Sequence, residues 1–217
     1  MRYLRLLTIS LLALFGCQSD STISRDHIVL STITPAPPSA DNRLVIHSDD
    51  LIINVPHPAN WHYYQMEHGL VLVEPTGISS SEQVFDGMIF HIWTQPILDF
   101  GEGDFSSPQA IFEQIVLDPL YIGHAVSSTP QAFQWGDIEA SYYLLDNQRG
   151  HISLIIGMMI PNHPQLIAIN MSAPSAQPDL LRQQALVLLD DILIDGIATS
   201  GAILDQILPE QLSVSDG

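Results

Sequence analysis

Between Ala132 and Ser172, three turn signals separate four runs of apolar and β-branched residues. Ala132 to Trp135 leads through Gly136-Asp137 into Ile138 to Leu145, and glycine in the first turn position suits a type II′ hairpin. Asn147 to Gly150 leads into His151 to Ile160, and Pro161-Asn162-His163-Pro164 leads into Gln165 to Ser172. Connections this short join antiparallel neighbours, so the spacing predicts a four-strand meander. A chain with that block at its centre must assemble the rest of its core around an antiparallel sheet.

The flanking segments supply more strands and two helices. Leu44-Val45-Ile46 and Leu51 to Val55 bracket Ser48-Asp49-Asp50, which predicts a hairpin. Pro56 and Pro58 close it, and Trp61 follows in a loop that folds back over the core. Leu70 to Val73 reads as a strand ended by Glu74-Pro75, and Gly77 to Glu82 as a loop. Met88 to Trp93 is apolar on both alternating faces, the mark of a central strand covered on two sides. Ser107-Pro108 supplies an N-cap and a first-turn proline for a helix carrying Ile111, Phe112, Ile115 and Val116, which Asp118-Pro119 stops. Pro178 to Ile194 reads as a closing helix with Leu181, Ala185, Leu188 and Ile192 on one arc and Gly196 as its stop. Asp190-Asp191 would then face the unfavourable end of the helix dipole. Thr199 to Gly217 adds a short helix with Ile203, Leu204, Ile207 and Leu208. Segregated helices on a largely antiparallel sheet make an α+β domain.

The N-terminus is of another kind. Arg2 and Arg5 precede an apolar run from Leu6 to Phe15, and Gly16-Cys17 closes it. This order is that of a secretory signal, and the run is about half the ~20 residues a membrane span needs. Its ending resembles the lipobox of bacterial lipoproteins, in which the cysteine is diacylated and becomes the mature N-terminus; Phe15 stands where a small residue is common. An ordinary cleaved signal would leave Cys17 as a lone thiol in an oxidising compartment. The organisation expected is therefore a signal peptide over residues 1–16, an acylated Cys17 with a Ser/Thr/Pro-rich tether to residue 43, a folded domain over 44–195, and a tail over 196–217. With one cysteine no internal disulfide forms, so packing alone must hold the domain.

Charge narrows the partners. All six basic residues are arginine, against 24 acids. Losing Arg2 and Arg5 with the signal leaves four arginines against those 24, a formal −20. Such a surface cannot neutralise phosphates, which excludes nucleic acid, and it is repelled by anionic headgroups. A lipid bilayer reached through acylated Cys17 and a basic envelope protein are the partners it allows. The same charge also serves plain solubility.

The strand-Pro-loop-Trp entry from Leu51 to Trp61, the strand Leu70 to Pro75, the Gly136 to Ala140 turn and the closing Asp191-Ile192-Leu193 together resemble the PsbP-like fold. That group includes the extrinsic photosystem II subunit, a Ran-binding nuclear import factor and many bacterial lipoproteins. The resemblance spans roughly residues 44–195. It implies an α/β/α sandwich around a largely antiparallel sheet and a docking or assembly role rather than catalysis. Photosystem docking is not implied, because it leans on basic surface residues and this chain has no lysine.

Candidate chemistry is sparse. His57, His62 and His68, with Glu67 nearby, crowd one loop and the strand after it; three such ligands can hold zinc if they converge. No H-x-H or H-x-x-x-H pair reinforces them, so spacing alone reads them as loop histidines. Asp99, Glu102 and Asp104 share six residues with two glycines, an oxygen-rich loop of the kind calcium uses, though not an EF-hand. Trp61, Trp93 and Trp135 are candidates to line a ligand cleft between sheet and helix, or else to pack the core. His91 reads as a hydrogen-bonded sheet-face histidine. No nucleophile motif, P-loop or dinucleotide fingerprint is present, and the approach to G-x-S-x-G at Ser200 fails because Ala198 stands two places before it. No cofactor is expected. The expectation is a lipid-tethered, non-enzymatic docking module; a small-ligand or cation-binding lipoprotein and an envelope hydrolase are the alternatives.

Overall fold

A computed structural model describes residues 43–48, 51–75, 87–100 and 103–214. The signal, Cys17, the tether, most of the loop before Met88, and Glu102 lie outside the described residues.

Strands β1 (Arg43–Ser48) and β2 (Leu51–Pro56) form the expected hairpin, with Ile46 opposite Ile53. After it come β3 (His62–Met66), β4 (Gly69–Val73) and β5 (Ile89–Pro96), then a 3-10 turn at Ile97–Phe100. Helices α1 (Pro108–Leu117) and α2 (Pro119–Ile122) lead to a two-residue strand β6 (Val126–Ser127). The meander is β7 (Gln131–Trp135), β8 (Ile138–Asp146), β9 (His151–Met159) and β10 (Gln165–Pro174). Helix α3 (Pro178–Leu188), the short strands β11 (Leu193–Ile194) and β12 (Ile197–Ala198), and α4 (Gly201–Ile207) end the chain.

The larger sheet runs β3-β4-β5-β10-β9-β8-β6, with β7 beside β6 on the same edge of β8, and its pairs are antiparallel. The smaller sheet runs β1-β2-β11-β12. Strands β9 and β10 bury apolar residues on both faces because both faces are covered, whereas β5 buries Phe90 and Ile92 on one face and turns His91, Trp93 and Gln95 to the other. One face, with Phe90, Ile92, Leu154, Ile156, Ile167 and Ile169, packs under α3, α4 and the smaller sheet. The other, with Tyr143, Ile155, Leu166 and Ala168, packs under α1. The fold is thus α+β, with helices on both sides of an antiparallel sheet.

Two elements differ from the sequence expectation. The polar-aromatic stretch after Trp61 is a strand, β3, at the sheet edge; its side chains are half-buried or exposed, so no buried face stamped an alternation on it. The closing helix ends at Leu188, not Ile194. Asp195 and Gly196 both take positive φ (49° and 83°), which reverses the chain in a tight turn and pairs Ile194 with Ile197. β11 also joins β2, with Ile194 opposite Ile53. Thr199 Oγ1 donates to the Leu189 carbonyl at 2.6 Å and takes up the Ile192 N–H at 3.2 Å, satisfying the helix end. Asp190 lies past the helix, where its carboxylate accepts the Gly201 N–H at 2.8 Å at the start of α4. Beyond Gly196 the chain joins the same core, with Leu204, Leu208 and Leu212 buried.

Candidate docking face

The two faces of the larger sheet are finished differently. The apolar cluster beneath α1 takes residues from β8, β9 and β10, takes only Trp93 from β5, and takes none from β3 or β4. Helix α1 is set by local chemistry: Ser107 Oγ accepts the Ala110 N–H at 3.2 Å, and Pro108 occupies the first turn. Its buried arc is Ile111, Phe112 and Ile115. Asp118 then ends α1, and its carboxylate accepts the Leu120 N–H at 2.8 Å to start α2. That second turn swings Tyr121 back toward β5.

Between α1, α2 and β5 lies a cleft lined by Trp93, Gln95, Phe100, Phe112, Tyr121 and Asn170, among others. It holds ≈ 30 Å³ of free space, about one water, where small-molecule sites run to roughly 300–1,000 Å³. The segments that build its rim also carry bare leucines. Leu98, two residues before Phe100, is 88% exposed, and Leu120, next to Tyr121, is 89% exposed. Leu117 at the end of α1 is exposed as well. From Leu44 to Gln148 the sequence contains no Lys or Arg and 14 acids, so β5, the 3-10 turn, α1 and α2, which form the rim of this cleft, lie in a stretch without fixed positive charge.

The cleft's polar lining is Gln95 on β5 and Asn170 on β10, and beside them the same face of the sheet carries His91. His91 is 7% exposed, its ring stacked on Trp93 at 4.3 Å and 18°. Its Nε2 is buried without a hydrogen-bond partner, unlike the bonded histidine expected from the sequence. Burial pushes its pKa down to about 4, because the charged ring would lose its hydration. Directly opposite on β10 is Asn170. Ser172 Oγ donates to Asn170 Oδ1 at 3.0 Å, and Ser153 Oγ lies 2.6 Å from Ser172 Oγ. Since the Ser172 proton goes to Asn170, Ser153 donates to Ser172 in a relay that ends on the Asn170 carbonyl oxygen.

The residues singled out from sequence are spread across the molecule. Trp135 is buried on the α3 side, where its Nε1 donates to the Ser200 carbonyl at 2.9 Å, and Trp61 packs half-buried against that same core. Trp93 stands alone on the α1 side. The three therefore do not converge. His57 Nε2 is 2.9 Å from the Trp61 carbonyl, His62 begins β3, and His68 is exposed 3.9 Å from Glu67. Asp99 lies in the 3-10 turn. Asp104 Oδ1 accepts the Ser106 N–H at 3.0 Å, and hydrogen bonding to Ser106 lowers its pKa. Among the described residues no group of three or more His, Cys, Asp or Glu comes together to hold a metal. One His–carboxylate contact, His163 Nε2 to Asp195 Oδ2 at 3.5 Å, joins two turns; Asp195 Oδ1 also accepts the Ile52 N–H, which makes it a structural clamp. Phe100, Tyr121, Leu98 and Leu120 were missed by sequence reasoning. The available signal was an apolar pair, Ile97-Leu98, after Pro96 and an apolar triplet, Leu120-Tyr121-Ile122, after Pro119, which no amphipathic period accounted for.

No protein family and no curated protein matches the chain. Among solved structures, it is similar to the solution structure of cyanobacterial PsbP (CyanoP) from Synechocystis, at 10% identity over 70% of this chain and 90% of that one, TM-score 0.46. It is also similar to LpqN of Mycobacterium tuberculosis, described as involved in cell envelope biogenesis, at 16% identity over 70% and 90%, TM-score 0.46. A third is the Ran-binding protein Mog1p of Saccharomyces cerevisiae, at 10% identity over 66% and 82%, TM-score 0.38. The first carries the name of the group that the sequence resembles, and the likeness concerns fold alone.

Proposed function

We propose that this chain is a lipid-tethered envelope domain that docks a basic protein on the α1 side of its larger sheet, and that it binds rather than catalyses. The observation that carries this reading is the pair Leu98 and Leu120, almost fully exposed beside an aromatic cleft in a stretch without one fixed cation. Burying a leucine gains about 1.5–3 kcal/mol, so two of them left bare are a standing incentive to associate. The acids beside them in the chain, Asp99 next to Leu98 and Asp118 two residues before Leu120, select a partner of opposite sign. The cleft walls support binding over catalysis, since among the described residues they offer aromatic, aliphatic and carboxamide side chains and no carboxylate, histidine, serine or cysteine. The N-terminal run ending in Cys17 and the Ser/Thr/Pro-rich segment after it support an extracytoplasmic domain held clear of the headgroups.

The test is isolation of the full chain from its own membranes, wild type against a Leu98→Asp, Leu120→Asp double variant, at low and high salt. A co-isolated protein present only with wild type, and lost as salt rises, supports the reading. Identical material with both forms removes this face as the docking site.

A further inference from the structure

The larger sheet ends in β3, and among the described residues no strand pairs with its outer side. The β3-β4 turn closes on Met66 opposite Gly69, so Met66, Tyr64 and His62 exchange their backbone bonds with β4. On the far side of β4 the Thr94 N–H donates to the His68 carbonyl at 2.9 Å, which fixes the same alternation. The N–H and C=O groups of Tyr63 and Gln65 therefore point out along the open edge, a template for an extended chain. The usual guards of such an edge are missing. His62-Tyr63-Tyr64-Gln65-Met66 holds no proline, lysine or acid, and its register runs without a bulge. Tyr64 and Met66, each 37% exposed, stand on the same side of the sheet as Trp93.

We infer that this edge pairs with the β3 edge of a second copy of the chain, antiparallel and centred on Tyr64, so that two larger sheets join into one. This goes beyond the docking reading and uses a different surface. A two-fold axis at Tyr64 sets Tyr63 opposite Gln65 of the partner subunit, and the two such pairs exchange all four outward-facing bonds. Tyr64 then meets Tyr64 of the partner subunit in a non-hydrogen-bonded pair, where side chains stand closest and aromatic pairs are favoured. Met66 falls opposite His62 of the partner subunit, on the same face. Charge favours a second copy over a basic protein at this place. From Leu51 to Val73 the sequence holds one acid, Glu67, and no Lys or Arg, although the whole chain has 24 acids. Like-charged copies can meet along so charge-poor an edge, because exposed charges more than about 8 Å apart are largely screened at physiological salt. A basic segment finds little there to attract it.

The experiment expresses the full chain in its own cell, oxidises with copper phenanthroline and reads dimer on non-reducing gels. Wild type, with Cys17 as its one cysteine, sets the background. Tyr64→Cys is expected to bridge with about tenfold the yield of Gln65→Cys, because the facing Cα atoms of a non-hydrogen-bonded pair lie about 4.5 Å apart, within disulfide reach. Two copies of residue 65 sit diagonally across the axis, beyond that reach. Adding Gln65→Pro to Tyr64→Cys removes an outward donor but no bond to β4, and is expected to cut the yield about fivefold while the domain stays folded. A charge exchange tests the same axis without touching the backbone. Tyr64→Lys or Tyr64→Glu alone is expected to stop co-isolation of two differently tagged copies, and the Lys and Glu forms expressed together are expected to restore it. Equal bridging from residues 64 and 65, or none above background from residue 64, overturns the pairing. Lys and Glu forms that fail to rescue one another overturn it as well. None of these results bears on Leu98 and Leu120, so the docking face stands or falls by its own test.

Discussion

The ring of Phe112 on α1 lies against Gly157 in the middle of β9, so closely that a Cβ at the glycine would stand 2.5 Å from Cζ. The same ring meets Tyr143 edge-on at 4.9 Å. Glycine here is a packing requirement rather than a turn device. It lets the helix lie low on the sheet, which in turn forms the inner wall of the cleft.

Gly157→Ala should therefore destabilise the domain by about 1–3 kcal/mol through overpacking. Urea denaturation reads this as a fall in midpoint with unchanged slope. Combining Gly157→Ala with Phe112→Leu, which removes the clashing ring atoms, should recover part of that loss. Simple additivity of the two substitutions would contradict the contact.

His91 makes stability depend on pH. Its folded pKa of about 4 lies below the ordinary value of 6.5, so the unfolded chain binds the proton first. Stability from this group is whole above pH 6.5 and falls as pH drops toward 4, by roughly 3 kcal/mol across the window. His91→Phe should remove that component while leaving the contribution of the carboxylates. The difference between wild-type and variant unfolding curves from pH 7.5 to 4 isolates it, and a difference that stays flat would contradict the burial.

Helix α4 is pinned by two long-range side-chain bonds. Trp135 Nε1 donates to the Ser200 carbonyl at 2.9 Å, and the Tyr142 hydroxyl donates to the Ile207 carbonyl at 3.0 Å. Arg182 on α3 adds bonds to the Asp205 and Pro209 carbonyls, both at 3.1 Å. Trp135→Phe and Tyr142→Phe should each cost about 0.5–1.5 kcal/mol. Limited proteolysis should then cut near residues 199–212 before the rest of the domain, because local opening begins where fewest bonds remain.

Much of this architecture was legible in the residues. The Gly136-Asp137, Asn147–Gly150 and Pro161–Pro164 turns declared the meander, and Ser107-Pro108 with Asp118-Pro119 bounded α1 almost to the residue. The closing helix was overrun because Ile192 continues the apolar spacing of Leu181, Ala185 and Leu188 after the chain has already left the helix. Asp195-Gly196, a two-residue hairpin signal, was the countermanding evidence. The cleft was illegible for another reason. It joins Trp93, Asn170 and Tyr121 across strand pairings and a helix turn, and only the register of β5 on β10 sets His91 opposite Asn170.

The tether makes a separate prediction. Cys17→Ala should abolish incorporation of labelled palmitate and move the protein from the membrane to the soluble fraction, with the domain's Tm unchanged. Retention of the variant in the membrane would contradict anchoring through that thiol.

The most direct measurement is site-specific photocrosslinking in the living cell, with benzoylphenylalanine placed at Leu120 or at Val187. Both positions are exposed, but Val187 lies on α3, on the opposite side of the larger sheet. The account predicts one discrete adduct from Leu120, weakened when Leu98 is changed to Asp, and none of that size from Val187. The same adduct from both positions, or none from Leu120, would contradict it.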